Sequence, residues 1–189
     1  MALPAEKERY TFADVLTWGE DERIEVINGE AVMMAPPLRV HQEILMALSR
    51  QIANYLDGKR CKVYPAPFAV RLFEEDGDAP EDVDTMVEPD IAVVCDPDKL
   101  DKYGCKGAPD MVIEILSPST RRHDLAVKYR LYQRAGVREY WIVDPDGKTV
   151  QVFRLEDGFY GAADVYTAGA VPVGIWEDFS IDLSLVFTE

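Results

Sequence analysis

Histidine is nearly absent from this chain: His41 and His123 are the only two in 189 residues. Cysteine is hardly commoner, with Cys61, Cys95 and Cys105 and no C-x-x-C spacing. That poverty argues against thiolate zinc sites and His-rich metal centres, so any bound metal should be a hard ion held by oxygen, Mg²⁺ or Mn²⁺. No run of 18 apolar residues occurs, which leaves no membrane span and no membrane partner to expect. The first residues, Met-Ala-Leu-Pro-Ala-Glu-Lys-Glu-Arg, lack the apolar core of a signal peptide. A cytoplasmic protein is therefore expected, with all three thiols reduced. Base is also short: 20 Lys and Arg stand against 35 Asp and Glu, a net charge of −15 that argues against tight nonspecific nucleic-acid binding. The patterns G-x-x-x-x-G-K-[ST], G-x-S-x-G and H-E-x-x-H are all missing, which disfavours nucleotide-switch, serine-hydrolase and zinc-protease chemistry.

What is present fits one soluble domain spanning 1–189, since no linker, repeat or low-complexity stretch divides it. Thr11 and Asp14 predict a short capped helix over 12–18. Asn28-Gly29 between two alternating runs predicts a hairpin. Residues 40–56 carry Ile44, Leu45, Leu48, Ile52, Tyr55 and Leu56 at helical spacing, and His41 extends that stripe by a turn. Strands are expected near 61–65, 67–73, 88–95 and 110–116, with an irregular segment before the last of them. Ser117-Pro118-Ser119-Thr120 reads as a stop and helix cap, and a helix follows over 121–135, closed by Gly136. Tyr140-Trp141-Ile142-Val143 is a strand, and the tail to 187 reads as further short strands. The fold class is α/β with a mixed α+β sheet, in the order helix-strand-strand-strand-helix-strand over a core of about 40–145. The continuous apolar runs at 88–95 and 110–116 mark central strands covered on both faces.

Charge is unevenly spread. Residues 74–90 hold nine acids and no base, whereas 121–138 hold Arg121, Arg122, Lys128, Arg130, Arg134 and Arg138 against Asp124 alone. Glu114 lies inside the most apolar strand, Met-Val-Ile-Glu-Ile-Leu, where an unpaired charge is too costly to keep. Asp90 opens the other apolar run. On a wheel of about 100° per residue, Lys128 falls within the apolar arc set by Leu125, Tyr129 and Tyr132. Two acids and a lysine aimed at one core suit a Mg²⁺ site that activates water and neutralises charge on a phosphate. Glu43, one turn into the first long helix, is a further candidate ligand. The rival reading is a structural Glu114–Lys128 ion pair.

Pro89-Asp90 and Glu114-Ile115-Leu116, in this element order, resemble the P-D…[DE]-x-K nuclease superfamily, with Leu116 where the pattern has lysine and Lys128 as its displaced form. The stretches Ile-Glu-Val-Ile-Asn-Gly-Glu, His41-Gln42-Glu43-Ile44, Glu114-Ile115-Leu116-Ser117-Pro118-Ser119-Thr120, Asp124-Leu125-Ala126-Val127-Lys128-Tyr129 and Gly136-Val137-Arg138-Glu139-Tyr140-Trp141-Ile142-Val143-Asp144-Pro145 are similar to the Uma-two family of restriction-endonuclease-like proteins. The resemblance spans roughly 11–155. It implies a restriction-endonuclease-like fold with an N-terminal hairpin and extra C-terminal strands. It also implies a metal-dependent endonuclease that cuts nucleic acid with catalytic Asp90, Glu114, Lys128 and Glu43. Asp90 and Glu114 would hold the metal, and His41, Arg121 and Arg122 would contact substrate in a homodimer. The alternative is a catalytically inactive module on the same fold that binds a protein or nucleic-acid partner.

Overall fold

The computed structural model describes residues 7–19, 23–117 and 124–188. Thr11 opens a single turn, α1 (Phe12–Val15), its backbone N–H donating to the Asp14 carboxylate at 2.9 Å. Only Phe12 of this turn is buried, so little packing exists to prolong it to 18. The hairpin forms as expected, β1 (Ile24–Ile27) against β2 (Glu30–Met33). Its turn needs positive φ at both central residues, and Asn28 (50°) and Gly29 (85°) supply it. α2 (Arg39–Leu56) buries His41, Ile44, Leu45, Leu48, Ile52 and Leu56 on one face.

Beyond α2 run β3 (Lys62–Pro65), β4 (Ala69–Arg71), β5 (Ile91–Val94), β6 (Leu100–Asp101), β7 (Gly104–Lys106) and β8 (Met111–Ile115). A π-helical turn over Asp124–Lys128 leads into α3 (Tyr129–Ala135), which Gly136 terminates in the left-handed conformation. The predicted start of this helix and its cap, 118–123, lies outside the described residues. β9 (Glu139–Asp144) and β10 (Thr149–Glu156) follow, then four short strands, β11 (Phe159–Tyr160), β12 (Asp164–Tyr166), β13 (Ala170–Pro172) and β14 (Ser180–Asp182).

The main sheet has the order β11-β10-β9-β8-β5-β3, with β12 also pairing β10. β8 and β9 are parallel and joined through α3, while the other pairs are antiparallel. β5 and β8 are buried at every position, as fits central strands covered on both faces. One face packs Ile91, Val93, Ile113 and Ile115 against α2 and against Val171, Val173, Ile181 and Leu183 of the C-terminal segment. The other packs Ala92, Val112 and Ile142 against Leu131 and Tyr132 of α3.

Three expectations need correction. The strand predicted over 67–73 does not join the main sheet. It shrinks to β4, which pairs with β7 in a separate three-stranded sheet β4-β7-β6. The segment expected to be irregular supplies β6 and β7. Cys61 and Cys95 are joined in a disulfide, and only Cys105, buried, is a free thiol. The register explains the pairing: Lys62 stands opposite Val94, so the next residue out on each strand faces the other.

Candidate functional site

Asp90 sits at the entry to β5, and its Oδ2 accepts two hydrogen bonds. One comes from the Ile115 backbone N–H of β8 at 2.7 Å, and the other involves His41 Nε2 of α2 at 3.1 Å. Continuing the β5–β8 register, in which Ile91 faces Ile113, sets Asp90 beside Glu114. His41 is 8% exposed, and its Nδ1 has no hydrogen-bond partner among the described residues.

Glu114 projects from β8 toward α3. Its Oε1 accepts from Lys128 Nζ at 2.9 Å and from the Tyr132 hydroxyl at 2.6 Å. Burial, and then the Glu114 charge, push the Tyr132 phenol well above its usual range, so it remains a donor. Lys128 Nζ also lies 2.9 Å from Glu25 Oε1 on β1, and that oxygen accepts from the Glu88 backbone N–H at 2.9 Å. Glu25, Glu114 and Lys128 are all at least 96% buried. Burial raises the Glu88 carboxyl, which Arg23 opposes and the Glu25 charge reinforces.

One cleft, bordered by Arg23 and by Met34 to Pro37 after the hairpin, is lined by His41, Asp90, Glu114 and Lys128 together. Glu43 is not among them. It stands half-exposed on the outer side of α2, ion-paired with Arg39 beside Met46 and Arg50, because its position lies off the buried stripe. Arg121 and Arg122 lie outside the described residues. Arg130, Arg134 and Arg138 are exposed on and just beyond α3, with Arg134 donating to Asn28 and Arg138 to Asp110. In the acidic stretch, Glu74 pairs with Arg71, Asp76 with Lys106 and Asp84 with Arg9.

Sequence reasoning missed Glu25 and Tyr132. The signal for Glu25 was the one that drew attention to Glu114, a carboxylate flanked by Ile24, Val26 and Ile27. Tyr132 sat beside Lys128 on the wheel but read as apolar packing.

Among the described residues no group of three or more His, Cys, Asp or Glu side chains is arranged to hold a metal. Two carboxylates on one cleft do not suit zinc or a calcium cage. They do suit Mg²⁺, which keeps several waters and takes one or two protein carboxylates.

A model of the Uma2 family, described as "Putative restriction endonuclease", matches residues 11–184. The chain belongs to the Uma2 family. An uncharacterized protein of Synechocystis sp., slr1290, is 26% identical over 147 residues, covering 76% of this chain and 73% of its own length. The fold is that of a crystal structure from Anabaena variabilis described as "a putative nuclease belonging to DUF820". Its TM-score is 0.73 and its identity 21%, over 94% of this chain and 97% of that one. No helix among the described residues is long and apolar enough to cross a membrane.

Proposed function

We propose that this Uma2 protein is a metal-dependent nuclease that hydrolyses phosphodiester bonds at the cleft of Asp90, Glu114 and Lys128. One observation carries the reading: two buried carboxylates and a buried lysine, drawn from three separate elements, line the same cleft. Asp90 and Glu114 would hold Mg²⁺ or Mn²⁺, which supplies a bound water of lowered pKa and offsets charge on the phosphate. The Ile115 amide and His41 fix the Asp90 carboxylate from two directions. The Lys128 ammonium offers a positive charge beside Glu114 where negative charge would build on the phosphoryl oxygens. Glu43 has no part in this scheme. A homodimer, in which two subunits cut two strands, completes the proposal, and sedimentation equilibrium tests it.

The decisive experiment incubates purified protein with single-stranded, duplex and structured nucleic acids, with and without Mg²⁺ or Mn²⁺. Cleavage should require the divalent ion and fall by about 10²–10³-fold in Glu114→Gln. If no divalent ion binds the wild type at millimolar levels, the reading fails. The protein is then better described as a binding module built around a structural ion network.

A further inference from the structure

Among the described residues two carboxylates hold Lys128, and one of them comes from outside the sheet-and-helix core. Its nitrogen lies 2.9 Å from Glu114 Oε1 and equally 2.9 Å from Glu25 Oε1. Glu25 belongs to the N-terminal hairpin, a separate two-stranded sheet.

That hairpin is clamped in place. Val26 exchanges backbone hydrogen bonds with Met86, at 2.8 Å and 2.7 Å. Gly29 N–H donates to Asp84 O at 2.8 Å, and Asn28 N–H donates to the Thr85 hydroxyl at 3.1 Å. At its tip Asn28 accepts from Arg134 of α3 at 2.8 Å. The hairpin is thus fixed both to the segment that runs into Asp90 and to the helix that carries Lys128. Glu25 adds its own tie by accepting from the Glu88 amide. Its carboxylate is 2% exposed and has no solvent to share.

We propose that Glu25 is a positioning residue of the site, holding the Lys128 ammonium between two carboxylates rather than letting it collapse onto Glu114. This rests on the nuclease reading above. A lysine paired with Glu114 alone would compete with a divalent cation for the same oxygen. With Glu25 as a second anchor, Lys128 would keep its place were Glu114 to turn to a cation. The hairpin is then the third wall of the catalytic cleft.

The test compares wild type, Glu25→Gln and Glu25→Asp in the full chain. Glutamine retains an acceptor for the Glu88 amide but loses the charge that holds Lys128. The expected result is a kcat for metal-dependent cleavage lowered by about 10–100-fold with KM for nucleic acid unchanged, the range typical of residues that orient a metal-site group. Glu25→Asp, which keeps the charge, should recover part of that rate. A Glu25→Gln kcat within about twofold of wild type, measured on folded protein, overturns the proposal. A crystal structure of Glu25→Gln gives a readout independent of activity. Lys128 Nζ should move by about 1 Å or more, a displacement large enough to matter catalytically. An unmoved Nζ overturns the proposal even if the wild type cleaves nothing, an outcome that would sink the nuclease reading separately. Should Glu25→Gln fail to fold, Glu25→Asp carries the test: a wild-type kcat and an unmoved Nζ in that shorter side chain refute positioning by reach.

Discussion

Replacing Lys128 with methionine is the sharpest perturbation the site offers. The change keeps most of the volume and removes one buried charge. The Glu25 and Glu114 oxygens both lie 2.9 Å from Nζ. They are therefore at most about 6 Å apart, and two unit charges at that distance repel by about 3 kcal/mol at an effective dielectric constant near 20. Breaking a buried pair by deleting one partner costs about 3–5 kcal/mol. The two estimates agree, and either is a large share of the ~5–15 kcal/mol that stabilises a domain. Guanidinium chloride unfolding at neutral pH, followed by fluorescence of the fully buried Trp141, should show a loss in that range. The companion variant Glu25→Gln/Glu114→Gln/Lys128→Met carries no buried charge in this trio and should recover most of the stability. A loss below about 1 kcal/mol in Lys128→Met would show that the three groups are not coupled as described.

Other positions make independent predictions. Gly104 has φ +140°, and an added Cβ would lie 2.1 Å from the Ala69 carbonyl oxygen, so Gly104→Ala should cost about 3 kcal/mol or more in urea unfolding by forcing β4 from β7. The Cys61–Cys95 disulfide closes a separation of 34 residues, and Cys61→Ala/Cys95→Ala should lose about 3–4 kcal/mol on the chain-entropy view. Thiol titration of unreduced, unfolded wild type should find one thiol, and finding three would contradict the bond. Glu139 accepts from Trp141 Nε1 and from the Ile175 amide, and burial raises its carboxyl above the ordinary 4.5. The folded state thus holds that proton more tightly than the unfolded chain. Stability attributable to this group falls as pH rises from 4.5 toward the raised value, then levels. Glu139→Gln should flatten that slope while costing about 1–3 kcal/mol at neutral pH for one mispaired donor, both read from unfolding curves across pH.

Lys128 was legible because a helical wheel needs only the spacing of its neighbours, and the π-helical turn before α3 did not carry it off the buried face. Asp90 and Glu114 were legible because a carboxylate in an apolar strand is conspicuous. Glu25 met the same criterion but sits in a four-residue strand of a hairpin that looked peripheral, and only tertiary contact brings it to Lys128. β4 shows the limit of local pattern. Alternation says that a strand forms but not which sheet accepts it. The disulfide was invisible for a related reason, since strand register rather than cysteine spacing brings Cys61 opposite Cys95. Glu43 read as a site residue because a position off the buried stripe fits a cleft wall and open solvent equally well.

The charge balance bears on whether the ion network is merely structural. A bridge kept for stability alone should be balanced, because every uncompensated buried charge is a cost. Among the described residues, Glu25 and Glu114 present two carboxylates to Lys128, Asp90 pairs with His41, and Arg23 stands 3.5 Å from Glu88. Among these described groups carboxylates outnumber lysine and arginine, and Asp90 and Glu114 line a cleft open to solvent. A divalent cation in that cleft would offset the surplus and bind the folded chain alone. Ligand linkage then sets the size of the effect: at a concentration tenfold above Kd, stabilisation is about 1.4 kcal/mol. Thermal unfolding in rising Mg²⁺ should therefore shift the wild-type midpoint upward by a few degrees, with matched ionic strength from a monovalent salt as the control. Glu114→Gln should lose most of that shift, whereas Glu43→Gln, on the outer side of α2, should retain it. Equal shifts in all three proteins would mean that Mg²⁺ acts on the acidic surface generally and that the surplus in the cleft has another cause.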